Sequence, residues 1–193
     1  MKFKLLSTVL IGFGLCFSLP VMGQHRIGPK FGSIDWEKQT VNISGADIEY
    51  KKGSPPPIGV SYGYIFFDSF YAGGEFIYEA LDSTTGLYSI SNDINVYRIN
   101  AMLNYYFLKN DFIKPYAGIG YGYTEMGIHA AESAELHGYS AMGIIGMDLK
   151  FNKLMALNFE YRRAYLSIDD QSNNQLKVHN NEFFIGIQFY FGK

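Results

Sequence analysis

Thiol chemistry is nearly absent from this sequence. The one cysteine, Cys16, lies in an apolar segment close to the N-terminus, so the rest of the chain has no disulfide framework and no thiolate. An excess of positive charge is missing too. Sixteen Lys and Arg stand against 18 Asp and Glu, which argues against a nucleic-acid partner, since such a partner calls for a basic surface. No run of 18 apolar residues occurs after residue 23, which excludes membrane-spanning helices. The string Gly118-Ile119-Gly120-Tyr121-Gly122 is rich in glycine, but no helix follows it, as a phosphate-binding loop requires.

The N-terminus reads as a secretory signal. Lys2 and Lys4 precede an apolar stretch from Leu5 to Leu19, and Val21 and Gly23 occupy positions −3 and −1 of a cut before Gln24. About 15 apolar residues fall short of the ~20 needed to span a bilayer as a helix. Phe13 and Leu15 precede Cys16 where a lipoprotein signal would carry Leu and a small residue, so lipidation is not expected. The expected organisation is a signal peptide over 1–23 and one domain over 24–193. Without Lys2 and Lys4, 14 basic residues face 18 acidic ones.

Aromatic residues make up 17% of the chain, and there are 21 glycines. A soluble domain of this length would have to hide all those rings in a core, whereas a membrane barrel shows them to lipid and gathers them in girdles. The dominant pattern is period-two alternation, the mark of strands with two unlike faces. Phe183, Ile185, Ile187, Phe189 and Phe191 share one face, opposite Glu182, Gly186, Gln188 and Tyr190, with Phe184 as the apolar exception. Leu157, Phe159 and Tyr161 likewise oppose Asn158, Glu160 and Arg162. The pattern predicts eight strands, at 26–36, 57–66, 70–80, 94–107, 114–126, 137–151, 154–166 and 182–191. Pro29, in the first, has to sit where its missing N–H does no harm. Short connections alternate with longer polar ones at 37–56, 81–93, 127–136 and 167–181. Tight periplasmic turns and long extracellular loops show this asymmetry.

A soluble eight-stranded barrel would turn the apolar face inward, and so many rings do not fit an interior that holds only side chains or one small ligand. The all-β reading is therefore an eight-stranded antiparallel up-and-down transmembrane barrel, with the polar face lining the lumen. That face carries Lys30, Glu75, Glu79, Arg98, Asp148, Lys150, Glu160, Arg162 and Glu182. Charges of mixed sign in a narrow space are tolerated when paired and hydrogen-bonded, so a structural polar network plugging the interior is expected. A conducting path for small solutes is the other reading. Arg163 falls on the lipid face, eight residues beyond Met155. That is ~20 Å along the membrane normal at ~3.3 Å per residue and ~40° tilt, where Arg costs only ~0–1 kcal/mol. Lipopolysaccharide phosphates and plain interfacial solvation both suit it there, and Glu125 lies at similar height.

From Lys114 to Phe191 the chain resembles the small outer-membrane β-barrel superfamily that includes OmpX, the opacity proteins and the OmpA membrane domain. The resemblance is carried by Lys114-Pro115-Tyr116-Ala117-Gly118-Ile119-Gly120-Tyr121-Gly122-Tyr123, by the hairpin Gly146-Met147-Asp148-Leu149-Lys150-Phe151-Asn152-Lys153, and by Leu157-Asn158-Phe159-Glu160-Tyr161. It implies a bacterial outer-membrane location, lipid and lipopolysaccharide as surroundings, and a monomer. It also implies that the terminal Phe189-Tyr190-Phe191 is read by the barrel-insertion machinery, although Gly192 and Lys193 follow the last aromatic here. The superfamily holds adhesins, structural barrels, conduits for apolar molecules and lipid A-modifying enzymes. Lipid A deacylases place a Ser two residues from a His, but Ile27, Ala131, Tyr139 and Asn181 stand two residues after His25, His129, His137 and His179. His129 and His137 bracket Glu132 and Glu135, a loop better suited to solvation than to metal. The expected function is non-enzymatic, without cofactor or metal: a structural or surface-interaction barrel whose loops meet host, phage or envelope partners.

Overall fold

Strands with two unlike faces need two environments, and the chain supplies them by closing a sheet on itself. The computed structural model describes residues 23–36, 40–43, 46–51, 56–85, 88–108, 112–129, 134–169 and 175–192. Apart from Gly23, the expected signal segment lies outside the described residues. The strands are β1 (Gly23–Trp36), β2 (Thr40–Ile43), β3 (Ala46–Lys51), β4 (Ile58–Phe66), β5 (Phe70–Thr85), β6 (Tyr88–Tyr106), β7 (Ile113–His129), β8 (Ala134–Lys150), β9 (Met155–Asp169) and β10 (Gln175–Phe191). Eight of them, β1 and β4 to β10, pair antiparallel with their neighbours in chain order, and β10 returns to β1. The remaining hairpin, β2–β3, attaches through β3 to the far end of β5. Full closure leaves the barrel wall without the exposed edge that an open sheet must protect.

Pro29 sits inside this closed wall. The β1–β10 ladder skips Gly28 and Pro29, then resumes in the same register at Lys30 opposite Gly186. The imino nitrogen thus falls in a short interruption, and the remaining pairs of that ladder hold the strands together.

One end of the barrel carries tight turns. Between β4 and β5, Phe67 and Asp68 both take positive φ (54° and 58°), the left-handed geometry that lets a short hairpin follow strand twist. Between β8 and β9, Asn152 Oδ1 accepts from the amides of Leu154 and Met155 at 2.7 and 2.9 Å. At the other end the expected strand boundaries are corrected. The segments 81–93, 127–136 and 167–181, expected as loops, are largely strand. β5 and β6 pair as far as Thr85 and Tyr88, β7 and β8 as far as Ile128 and Ala134, and β9 and β10 as far as Asp169 and Gln175. Segment 37–56 contributes β2 and β3. Asn, Ser and Asp make these stretches read as loops in isolation, but an adjacent hairpin arm satisfies their backbone groups as well as water does.

Candidate functional site

The interior is built by every second residue of the eight strands, and it is layered. Nearest the turn end, Tyr106 and Tyr190 donate to Asp148 Oδ2 at 2.8 and 2.6 Å, and Asn158 Nδ2 donates to Asp148 Oδ1 at 2.7 Å. Arg26 donates to Gln188 Oε1 at 3.0 Å and Tyr106 Oη at 2.6 Å, and its guanidinium is 3.8 Å from Asp148. Four tyrosines, Tyr71, Tyr106, Tyr116 and Tyr190, are buried here. The rings fill the width of the barrel, the hydroxyls of Tyr106, Tyr116 and Tyr190 bond the buried charges, and the Tyr71 ring faces the Arg26 guanidinium at 4.9 Å.

The next layer is an ionic knot. Arg162 bonds Glu75 through both terminal nitrogens, one of them at 2.6 Å from Oε2, and reaches Glu160 through Nε at 2.8 Å. Lys30 bridges the same two carboxylates at 2.6 and 3.2 Å. Asn100 donates to Glu75 at 2.8 Å, Ser140 to Asn100 at 3.0 Å, and Tyr116 to Glu160 at 2.7 Å. Phe184 forms an apolar wall to the knot, with the Arg162 guanidinium 4.9 Å and the Lys30 ammonium 5.5 Å from its ring centre. Two cations thus face two carboxylates, and each charge is hydrogen-bonded, the condition under which a buried ionic cluster persists. Glycine makes the room: a Cβ on Gly122 would overlap the Asn100 side chain, and one on Gly118 would overlap Asn104.

Above the knot Arg98 bonds Glu182 across the lumen, and Glu182 Oε2 lies 3.7 Å from Arg162. Beyond this layer the interior changes character. Ile34, Leu81, Ile94, Val96, Met126, Leu136, Leu166, Ile168 and Val178 all point inward at 2% exposure or less. The expectation of a polar lumen is corrected here: its hairpin-end part is an apolar cap. Leu81, Leu136, Ile168 and Val178 lie in the strand extensions, while Ile34, Ile94, Val96, Met126 and Leu166 fall at the outer ends of the expected strands, where they break the polar face.

Of the expected lumen residues, Lys30, Glu75, Glu79, Arg98, Asp148, Glu160, Arg162 and Glu182 are buried, and Lys150 is not among them. Lys150 is half-buried, with its ammonium 4.3 Å from the Tyr190 ring centre. Sequence reasoning missed Arg26, although it shares the parity of Lys30 and stood at the first residue of the expected strand. Arg163 is exposed and donates to Asn181 Oδ1 at 2.8 Å. Glu125 is half-buried and sits opposite His137, whose ring nitrogen is 2.8 Å from the Tyr123 hydroxyl. The side chains of His129, Glu132 and Glu135 lie outside the described residues. Among the described residues no cluster of three or more His, Cys, Asp or Glu is placed to hold a metal.

The exterior carries the opposite chemistry. Phe31, Ile58, Ile99, Ile119, Ile145 and Phe183 are 45–66% exposed, a density of bare apolar side chains that water does not tolerate. Rings gather in two belts. At the turn end Phe66 stacks on Phe70, Phe70 meets Tyr105, and His25 stacks on Phe191. Toward the hairpins Tyr78 meets Tyr97, Tyr121 meets Tyr139, and Tyr165 meets His179. From Tyr105 to Tyr97 along β6 is ~20 Å of height, close to the ~25 Å apolar band of a membrane barrel. Phe189 and Phe191 face outward and Tyr190 faces the lumen. An open apolar groove of about 470 Å³ beside Pro29, Phe31, Val60 and Phe76 also faces outward, toward acyl chains.

A closed barrel with an apolar belt between aromatic girdles and a polar, hydrogen-bonded interior defines a protein that spans a bilayer with strands. The chain belongs to the outer-membrane protein β-barrel domain family, whose model matches residues 15–191. Its place is the bacterial outer membrane. No curated protein sequence matches it. Among solved structures it is similar to Ail of Yersinia pestis, crystallised with the heparin analogue sucrose octasulfate. The two are 16% identical over 89% of this chain and 100% of that one, with a TM-score of 0.57. Neisserial surface protein A is 15% identical over 88% and 97% of the two chains, with a TM-score of 0.61. The outer-membrane protein AlkL is 14% identical over 90% and 92%, with a TM-score of 0.60. At these identities the likeness shows the fold.

Proposed function

We propose that this chain is a non-enzymatic surface barrel that displays its outer hairpins to a ligand beyond the cell, on a body that does not conduct. The observation that carries the reading is the length and filling of the strands. A membrane strand needs ~9–11 residues, whereas β5 to β10 have 15–19. The surplus stands above the outer girdle and encloses its own apolar core. Such a stalk carries the paired arms of the hairpins clear of the outer girdle. The carboxylates of the knot are saturated by cations and hydroxyls, which suits a structural part better than an acid or base.

The chemistry of the display surface narrows the ligand. Segments 37–56, 81–93, 127–136 and 167–181 hold nine Asp and Glu against four Lys. Ail binds a polysulfated sugar analogue in its crystal, but this acidic surface favours a basic or uncharged partner, such as a host or phage surface protein. Arg163 stands at headgroup height, where it suits a lipopolysaccharide phosphate. The proposal includes a monomer whose Phe189, Tyr190 and Phe191 are read by the insertion machinery.

Adhesion to cultured epithelial cells and phage adsorption test the reading. Bacteria expressing the full chain are compared with bacteria whose hairpins are shortened at 81–93 and 167–181. A loss of either property with the shortened hairpins is expected, as is failure to retain heparin. Unchanged adhesion and adsorption would refute the display role. Reproducible single-channel steps in planar bilayers would favour a conduit, and altered lipid A acylation on overexpression would favour an enzyme.

A further inference from the structure

A turn that faces water is built from polar residues, glycine and proline, and the turns of this barrel are not. Phe67 sits in the β4–β5 turn. Phe107, Leu108 and Phe112 flank the β6–β7 turn, and Phe151 and Leu154 flank the β8–β9 turn. These six side chains are 51–71% exposed, an apolar surface that marks contact with something other than water.

Phe67 is the clearest case. With Asp68 it forms a two-residue turn, closed by the Ser69 amide on the Phe66 carbonyl at 3.3 Å, and the two residues take φ of 54° and 58°. Asn, Asp and Gly suit that left-handed geometry, and a bulky ring there carries backbone strain. Strain kept at an exposed position points to a use for the side chain. The turns are also fastened sideways. The carbonyls of Ser69, Phe112 and Leu154 accept from the amides of Tyr106, Lys150 and Tyr190 at 2.7–2.8 Å, so each turn is tied to a strand beyond its own two.

Charge at this end complements the rings. Segments 67–69, 107–114 and 150–154 hold four Lys against two Asp, the reverse of the acidic hairpin segments. Lys153 is exposed between Phe151 and Leu154, and Lys114 is half-buried two residues after Phe112. Height agrees with both. Along the chain, Phe107 is ten residues from Tyr97 and Phe151 twelve from Tyr139. Those spacings are ~25 and ~30 Å along the membrane normal at ~3.3 Å per residue and ~40° tilt. A hydrocarbon core is ~30 Å thick, with headgroups just outside it. The tips therefore end at headgroup level, continuous with the lipid-facing belt.

We propose that the turn end is a phospholipid-binding face, with its six apolar tips at the boundary of headgroups and acyl chains and Lys114 and Lys153 on anionic headgroups. Rings and leucine side chains gain from the apolar side of that boundary, while a lysine stem reaches from it to a phosphate. A second copy fits less well, because two basic ends would meet. The barrel thus ends inside the membrane on this side. That leaflet is the inner one when the hairpins face outward, as proposed above, but the seating depends on neither the direction of the hairpins nor their ligand.

Single-tryptophan fluorescence of the barrel in lipid vesicles tests the face, with Trp36, the one native tryptophan, replaced by Phe. Phe67→Trp, Phe151→Trp and Leu154→Trp are made separately, and heat-modifiable mobility confirms that each folds. Phosphatidylcholine brominated near the glycerol end of its chains is expected to quench each tip at least twofold more than lipid brominated near the chain ends. Acrylamide on both sides of the membrane should quench each tip at least threefold less than free tryptophan. At an equal share of the lipid, brominated phosphatidylglycerol should quench Phe151→Trp at least twofold more than brominated phosphatidylcholine, and adding Lys114→Gln and Lys153→Gln should remove that excess. Should Phe67→Trp fail to fold at its strained turn, the other two positions decide. Tips open to acrylamide and silent to brominated lipid would overturn the proposal and leave the turns to a protein partner. Quenching that varies with the protein-to-lipid ratio would mark a second copy and equally overturn it. Equal quenching by the two headgroups would overturn the role given to Lys114 and Lys153.

Discussion

Replacing Arg162 by Leu separates the two faces of β9 more sharply than any other single change. Arg162 is 0% exposed and provides half of the positive charge in a knot whose other cation is Lys30. Its guanidinium bonds Glu75 and Glu160 and approaches Glu182. The Leu variant leaves Lys30 alone against Glu75 and Glu160, and removes the second cation near Glu182. Breaking a buried pair in this way costs ~3–5 kcal/mol, because the partner charges stay buried. Arg163, one residue along, points outward to Asn181. Its removal should cost ~0–1 kcal/mol, the usual range for an exposed polar pair. Urea unfolding in lipid vesicles, followed by the fluorescence of the single tryptophan, Trp36, resolves the two. With a slope of about 2 kcal/mol per molar, Arg162→Leu should lower the midpoint by ~1.5–2.5 M, and Arg163→Leu by ~0.5 M or less. Equal shifts, or the reverse order, would refute the assignment of faces and with it the buried knot.

Three further outcomes follow from the same partition. Ile119→Arg places a charge near mid-height on the lipid face and should cost ~2–4 kcal/mol, whereas the charge introduced by Tyr139→Arg at the outer girdle should cost ~0–1; unfolding midpoints in vesicles compare them. Phe184→Ala removes a fully buried ring from beside Arg162 and Lys30 and should cost ~3–5 kcal/mol, well above the loss for Phe183→Ala on the lipid side, as read by the temperature at which heat-modifiable mobility is lost. Gly122→Val drives a side chain into Asn100, which donates to Glu75, so a loss of ~1–3 kcal/mol from overpacking is expected; a midpoint equal to wild type would show that Asn100 has room to move.

The layered interior bears on how such a barrel stays closed. A lumen lined only with charges can be wetted from either end, because each charge prefers water to a distorted partner. Here the outer end is closed by aliphatic side chains, which gain nothing from water, and the ionic knot lies beneath them. Closure therefore does not depend on the ion pairs alone. It also persists at high salt, since the buried pairs are out of reach of screening ions.

Alternation along the chain determined which face each strand residue takes, because the side-chain period of a strand is two and one slip exchanges lipid for lumen. The opposite placements of Arg162 and Arg163 follow from that parity alone, as do the inward Glu182 and the outward Phe183. Glycine, aromatic content and the turn pattern were enough for a closed membrane barrel. The sequence by itself did not show where the strands end outside the membrane. Asn, Ser and Asp in 81–93 and 167–181 are poor strand formers alone, and only the opposing arm of each hairpin makes them strand. Nor did it show which charges meet. Arg162 and Glu75 are 87 residues apart and Arg98 and Glu182 are 84 apart, so closure of the barrel brings them together. Arg26 joins Asp148 in the same way. Parity assigns a residue to the lumen, but its height there and its partner across the axis depend on the register of all eight strands, which tertiary closure alone sets.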